Sequence, residues 1–152
     1  MTMPQVPMDI LLIEDQDEEI SMVEDAIAET ELSNRMVVAK NHGEALTYLR
    51  QATANAMQQL DELRRPGLIL LDINLHDQQG YDVLHEIKTD PRLMTIPVVI
   101  LTNTLEEKDL AYTISHGVTG YFLKPMDTGQ LRKVVKDVED HWMVLMTTPC
   151  AN

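Results

Sequence analysis

Cysteine is nearly missing from this chain. Of 152 residues only Cys150 carries a thiol, two positions from the end, so no disulfide can form within the chain. That scarcity suits a reducing compartment. His and Cys nowhere cluster at ligand spacing, which removes a structural zinc site, and His76 with Asp77 reads as a solvated loop. Basic residues are few: 12 Lys and Arg stand against 25 Asp and Glu, for a formal charge of −13. Proteins that bind nucleic acid carry a basic footprint to meet the phosphate backbone, so no nucleic-acid partner is expected. Long apolar runs are lacking as well. The opening MTMPQVPMD has no basic segment ahead of an apolar stretch, and no run approaches the roughly 20 residues of a membrane helix. The expectations are a cytoplasmic location and no membrane association. Internal repeats and low-complexity tracts are also absent.

What is present is the composition of a globular domain. Hydrophobic residues make up 44% and charged residues 24%, close to soluble averages, and the length suffices to bury a core without disulfide or metal staples. A single domain is expected over residues 8–145, with short tails at 1–7 and 146–152. The surplus of carboxylates has two readings, plain solubility or a cluster that holds a cation.

Apolar patterning gives the architecture. MDILLI (8–13), LILLDI (68–73) and IPVVIL (96–101) are short continuous hydrophobic runs bounded by polar or turn residues, and MVVA (36–39) and GYFL (120–123) are weaker ones. Runs of that kind are strands buried on both faces of a parallel sheet. Helical spacing follows in Ile20, Val23 and Ile27, in Val83, Leu84 and Ile87, and along Leu131, Val134, Val135, Val138, Trp142 and Leu145. Asn41 before Glu44, Thr104 before Glu107 and Asp127 before Gln130 resemble capping boxes at helix starts. Residues 52–65 have good helix propensity and no Gly or Pro until Pro66–Gly67, so they extend the second helix or add a turn. Five β–α units predict a doubly wound α/β domain, a three-layer sandwich on a five-stranded parallel sheet.

In such sheets chemistry gathers at the carboxyl ends of the strands. The residues there are Glu14 and Asp15, Asp72, Thr102 and Lys124, spread over 110 positions yet predicted to share one edge. Three carboxylates at one point repel one another unless something positive joins them. Magnesium fits, because it takes oxygen ligands, is commonly held by one or two carboxylates and also touches phosphate. Lys124 adds a compact second positive charge, and Thr102 a hydroxyl donor. These parts suit phosphoryl transfer to a carboxylate, with Asp72 as nucleophile, Glu14 and Asp15 on the metal, and Lys124 and Thr102 on the transferred group.

The segments ILLIED (10–15), LILLDINL (68–75), Gly80, IPVVILT (96–102) and YFLKP (121–125) resemble bacterial response-regulator receiver domains of the flavodoxin-like (βα)5 fold, over roughly residues 8–145. The intervals of 30 residues from Asp72 to Thr102 and 22 from Thr102 to Lys124 are also those of the family. The resemblance implies that Asp72 accepts phosphate from a histidine kinase, that Glu14, Asp15 and Asp72 bind magnesium, and that the backbone carbonyl of Asn74 completes the protein ligands. It also implies that Thr102 and Tyr121 form a switch pair and that the Lys124–Pro125 bond is cis. The longer second helix and EDHW (139–142) are most similar to stand-alone receivers paired with bacterial phytochrome-type kinases. Such a protein is a phosphoacceptor switch, not a turnover enzyme, and it signals through a partner or as a homodimer. Leu105, Tyr112 and the run 142–146 are candidate contact positions.

Three positions depart from the family pattern: His76 where proline is common, Gln79 where Asp often precedes the glycine, and Asn103 where a small residue usually follows the threonine. Asn103 bears on how easily a donor or a water reaches Asp72. Two other readings remain. Asp15-Gln16-Asp17 resembles the nucleophile motif of haloacid-dehalogenase-type phosphohydrolases, with Asp15 reacting, but it leaves Asp72 without a role. The other is a receiver-fold interaction module that works without phosphorylation.

Overall fold

The computed structural model describes residues 8–30, 34–57, 65–75, 79–103, 115 and 117–147; for 55–57 and 141–147 it describes the backbone alone. Five strands and, among the described residues, four helices follow in the order β1 (Ile10–Ile13), α1 (Asp17–Glu29), β2 (Met36–Ala39), α2 (His42–Met57), β3 (Leu68–Asp72), α3 (Gln79–Thr89), β4 (Val98–Thr102), β5 (Gly120–Leu123) and α4 (Thr128–Thr147). The strands are parallel in the order β2-β1-β3-β4-β5. All five expected strands are present. The helix expected after Thr104, with its cap, lies outside the described residues, as do His76, Asp77, Leu105 and Tyr112 and the side chains of Trp142 and Leu145.

Alternation along the strands divides the core. Leu11, Ile13, Ile69, Leu71 and Ile100 face one way, onto Leu46 and Leu49 of α2 and Leu84 and Ile87 of α3. Ile10, Leu12, Leu70, Val99 and Leu101 face the other way, onto Ile20 and Ile27 of α1 and Leu131 and Val135 of α4. Because side chains alternate with period two, a strand covered on both faces must be apolar throughout, and β1, β3 and β4 are buried along their full lengths. The result is the three-layer sandwich that the sequence predicts.

The caps fix where the helices begin. At α4 the box is reciprocal: the Gln130 N–H donates to Asp127 Oδ1 at 2.7 Å and the Asp127 N–H to Gln130 Oε1 at 3.1 Å. At α2 the Glu44 N–H donates to Asn41 Oδ1 at 2.9 Å, while Glu44 reaches back to the Lys40 N–H at 3.3 Å, one residue earlier than expected. α2 runs to Met57, so the first part of the 52–65 segment extends that helix, and 58–64 lie outside the described residues.

The two ends of the sheet differ. At the amino end Asp9 is buried and paired with Arg35, Nη2 to Oδ2 at 2.6 Å. Around that pair the Gly67 N–H donates to the Asp9 carbonyl at 2.9 Å and Asn34 Nδ2 to the Met8 carbonyl at 2.9 Å. At the carboxyl end α3 starts against the turn that follows β3. A Cβ on Gly80 would sit 2.5 Å from the Ile73 carbonyl oxygen and 2.7 Å from that of Asp72. Gly80→Ala should therefore cost about 1–3 kcal/mol in urea denaturation by forcing backbone apart. Gly43→Ala, in the first turn of α2 where the nearest atom would be 3.4 Å away, should be neutral or stabilising by up to about 1 kcal/mol; equal costs at the two sites would contradict this account.

Candidate functional site

Each central strand delivers a polar group to the carboxyl edge. Glu14 follows β1, Asp72 ends β3 and Thr102 ends β4, and all three are buried. Lys124 follows β5, and its N–H is held by the Thr102 carbonyl at 2.8 Å. One carboxylate oxygen from each of Glu14, half-buried Asp15 and Asp72 lies within 4.8 Å of the others. Among the described residues this is the one group of three or more acidic or metal-binding side chains so placed.

Lys124 sits in the middle. Its Nζ is 2.8 Å from Asp72 Oδ1, 3.2 Å from Glu14 Oε2 and 2.9 Å from Glu19 Oε2. An ammonium has three donors, and here three carboxylates meet it. Burial alone would lower the Lys124 pKa, but the hydrogen bonds to Asp72 and Glu19 and the surrounding negative charge outweigh it, and the net shift is upward. Glu14 pays the other side of this crowding: burial first, then hydrogen bonding and repulsion with Asp72, push its carboxyl up to about 9, with Lys124 opposing only in part. One lysine does not neutralise this group.

Asn74 ties the β3 turn to its neighbours. Its backbone N–H donates to Asp72 Oδ1 at 2.8 Å. Its side-chain oxygen accepts from the Asn103 N–H at 2.8 Å and from the Thr102 hydroxyl at 3.4 Å, a bridge that the expectation of a backbone carbonyl ligand did not contain. Glu19 was missed by the sequence reading altogether. Its signal was its place four positions beyond Asp15 in the first turn of α1, where an acidic residue is equally explained by the helix dipole. Tyr121 lies on β5 and is 38% exposed, and the register pairs it with Ile100 while Thr102 pairs with Leu123. The Lys124–Pro125 peptide bond is cis. Gln79 accepts from the His42 N–H at 3.0 Å and so joins α3 to the start of α2. Asp17 stands apart from the acidic group: its side chain is exposed and meets Lys40 Nζ at 2.7 Å.

A cavity of about 180 Å³ opens beside Lys124, lined among others by Glu19, Met22, Leu101, Asn103 and Met126. No helix among the described residues is long and apolar enough to cross a membrane.

A parallel five-stranded sheet with an acidic group and a lysine at its carboxyl edge defines a receiver-type domain. Residues 10–136 match the response regulator receiver domain, and the chain belongs to that family. It is 32% identical over 145 residues to response regulator Rcp1 of Synechocystis sp., covering 95% of each chain. A solved Mn2+-bound form of Rcp1 superposes with a TM-score of 0.66, covering 95% of this chain and all of the other. The phosphorylated cyanobacterial phytochrome response regulator RcpA is 35% identical with a TM-score of 0.70, over 95% of this chain and 99% of the other. The bacteriophytochrome response regulator AtBRR is 32% identical with a TM-score of 0.72, over 90% and 94%. The likeness to phytochrome response regulators agrees with the narrower resemblance seen in the sequence.

The raised Glu14 pKa has a sign that can be measured. Between 4.5 and about 9 the folded protein keeps a proton on Glu14 that the unfolded chain has lost, so this group's contribution to stability is full below 4.5 and fades as pH rises through about 9. A divalent cation competes with that proton. Melting temperatures with and without magnesium should diverge progressively across that window, and Glu14→Gln should flatten the dependence. A magnesium effect independent of pH would contradict the assignment of the proton to Glu14.

Proposed function

We propose that the chain is a single-domain response regulator of a two-component phosphorelay, in which Asp72 accepts a phosphoryl group from a histidine kinase. The observation that carries this is Asp72 itself: a buried carboxylate held by the Lys124 ammonium and the Asn74 N–H, at the edge where Glu14 and Asp15 converge. The receiver spans residues 8–145.

The donors fit a hard divalent cation. Three carboxylate oxygens converge, and burial first, then hydrogen bonding and repulsion with Asp72, keep a proton on Glu14 that Lys124 opposes only in part. Glu14, Asp15, Asp72 and the Asn74 backbone carbonyl would hold Mg2+, and the Mn2+-bound form of Rcp1 supports a divalent ion. When bound, the cation neutralises charge on the transferring phosphoryl group.

The protein's own groups do the rest. A carboxylate oxygen of Asp72 attacks phosphorus, the P–N bond of the kinase phosphohistidine breaks, and the imidazole nitrogen leaves with the electron pair. Lys124 and the Thr102 hydroxyl donate to the transferred oxygens, and Tyr121 moves inward as the hydroxyl turns. Phosphorylation adds negative charge and acceptor oxygens, and a swing from 1:99 to 99:1 between two arrangements of residues 102–125 would need about 5.5 kcal/mol of differential binding. The protein is a switch modified once per signal, not a turnover enzyme. The likeness to RcpA and AtBRR supports a phytochrome-type kinase as the partner. Output through a protein partner or a homodimer, and a cytoplasmic location, complete the proposal.

Incubation with acetyl phosphate and magnesium should add one phosphoryl group to the intact protein by mass spectrometry, and Asp72→Asn or a chelator should remove it. Stoichiometric label surviving in Asp72→Asn would overturn the acceptor assignment.

A further inference from the structure

Glu19 has no part in the chemistry above, yet it makes one of the three close contacts to the Lys124 ammonium, at 2.9 Å. Its side chain is 32% exposed, whereas Glu14 and Asp72 are 1% exposed. Glu19 is therefore the outermost carboxylate of the set, and it lines the cavity beside Lys124 together with Asn103. Glu19 and Asp72 meet the same ammonium, at 2.9 and 2.8 Å, so a donor at Asp72 lies close to the Glu19 charge.

We propose that Glu19 is a donor-selecting residue, which disfavours small, freely diffusing anionic phosphodonors and so keeps Asp72 for a protein donor. This rests on the phosphoacceptor role of Asp72. Two physical effects act in the same direction. Three acidic side chains crowd the Lys124 ammonium, so an incoming phosphoryl oxygen competes with them, and Glu19 keeps part of the lysine's charge turned toward α1. Glu19 also adds a full negative charge beside the acceptor, and repulsion of an approaching anion scales with the charge that anion carries. A protein donor can bring compensating positive groups on its own surface; a small anion brings only its charge.

Two donors separate the charge effect from a general change in reactivity. Acetyl phosphate is a dianion near neutral pH and loses acetate when the P–O bond breaks. Phosphoramidate carries a protonated nitrogen and so less net charge, and it loses ammonia when the P–N bond breaks. Both leave the same aspartyl phosphate. Glu19→Gln keeps an oxygen that accepts from Lys124 and removes the charge. It should raise the apparent second-order rate with acetyl phosphate by about three- to tenfold, mostly through a lower half-saturating donor concentration. The gain with phosphoramidate should be clearly smaller. The difference should shrink in high salt, and Glu19→Asp, which retains the charge, should keep the wild-type ratio of the two rates.

Equal acceleration of both donors by Glu19→Gln would overturn the selection role, because charge on the donor would then not matter. Equal slowing would overturn it too, and would make Glu19 a residue that simply positions Lys124. A wild-type protein labelled by neither donor would bring down the phosphoacceptor reading itself, a result distinct from labelled wild type with an unchanged donor ratio.

Discussion

One ammonium among buried carboxylates governs this molecule. Lys124 comes from the end of an edge strand and reaches Glu14 beyond β1, Asp72 at the end of β3 and Glu19 on α1. That single side chain ties three segments that are far apart in the chain. Removing the ammonium from such a group leaves buried negative charge uncompensated, which costs several kcal/mol. Lys124 thus has a structural task, linking Asp72 to β5 and α1.

The surrounding fold exists to hold that crowding in place. β1, β3 and β4 are apolar along their whole lengths and covered on both faces, so their ends have little freedom to drift apart and relieve the repulsion. The Asn74 side chain, bridging to the Asn103 N–H, and Gly80, seated against the carbonyls of Asp72 and Ile73, fix the turn after β3. Rigid strands and a pinned turn keep these acidic groups crowded, since the site cannot relax by moving.

Much of this could be seen in the sequence. Continuous apolar runs such as ILLI and LILL admit few structures other than buried parallel strands, and parallel topology then brings their polar ends together whatever their separation in sequence. Glu14, Asp15, Asp72, Thr102 and Lys124 were legible for that reason. Glu19 and the Asn74 side chain were not. A glutamate in a first helical turn is adequately explained by the helix dipole, and an asparagine after a strand by turn formation, so nothing in the one-dimensional pattern pointed to a long-range contact. Tyr121 could be placed on β5, but its degree of exposure depends on the residues that surround it in three dimensions. The donor Glu44 caps was foreseen only to within one residue, because the exact path of the chain into α2 is set by tertiary contacts.

The two ends of the sheet show how differently one scaffold can treat charge. At the amino end Asp9 finds Arg35 within the same chain, and neighbouring backbone groups complete the arrangement. Among the described residues the carboxyl end gathers Glu14, Asp15, Asp72 and Glu19 against the one ammonium of Lys124. The polypeptide has thus folded into an object with unlike poles, one where a buried acid is answered by an arginine and one where, among the described residues, acid outnumbers base, so the two ends meet the surrounding solution on different terms.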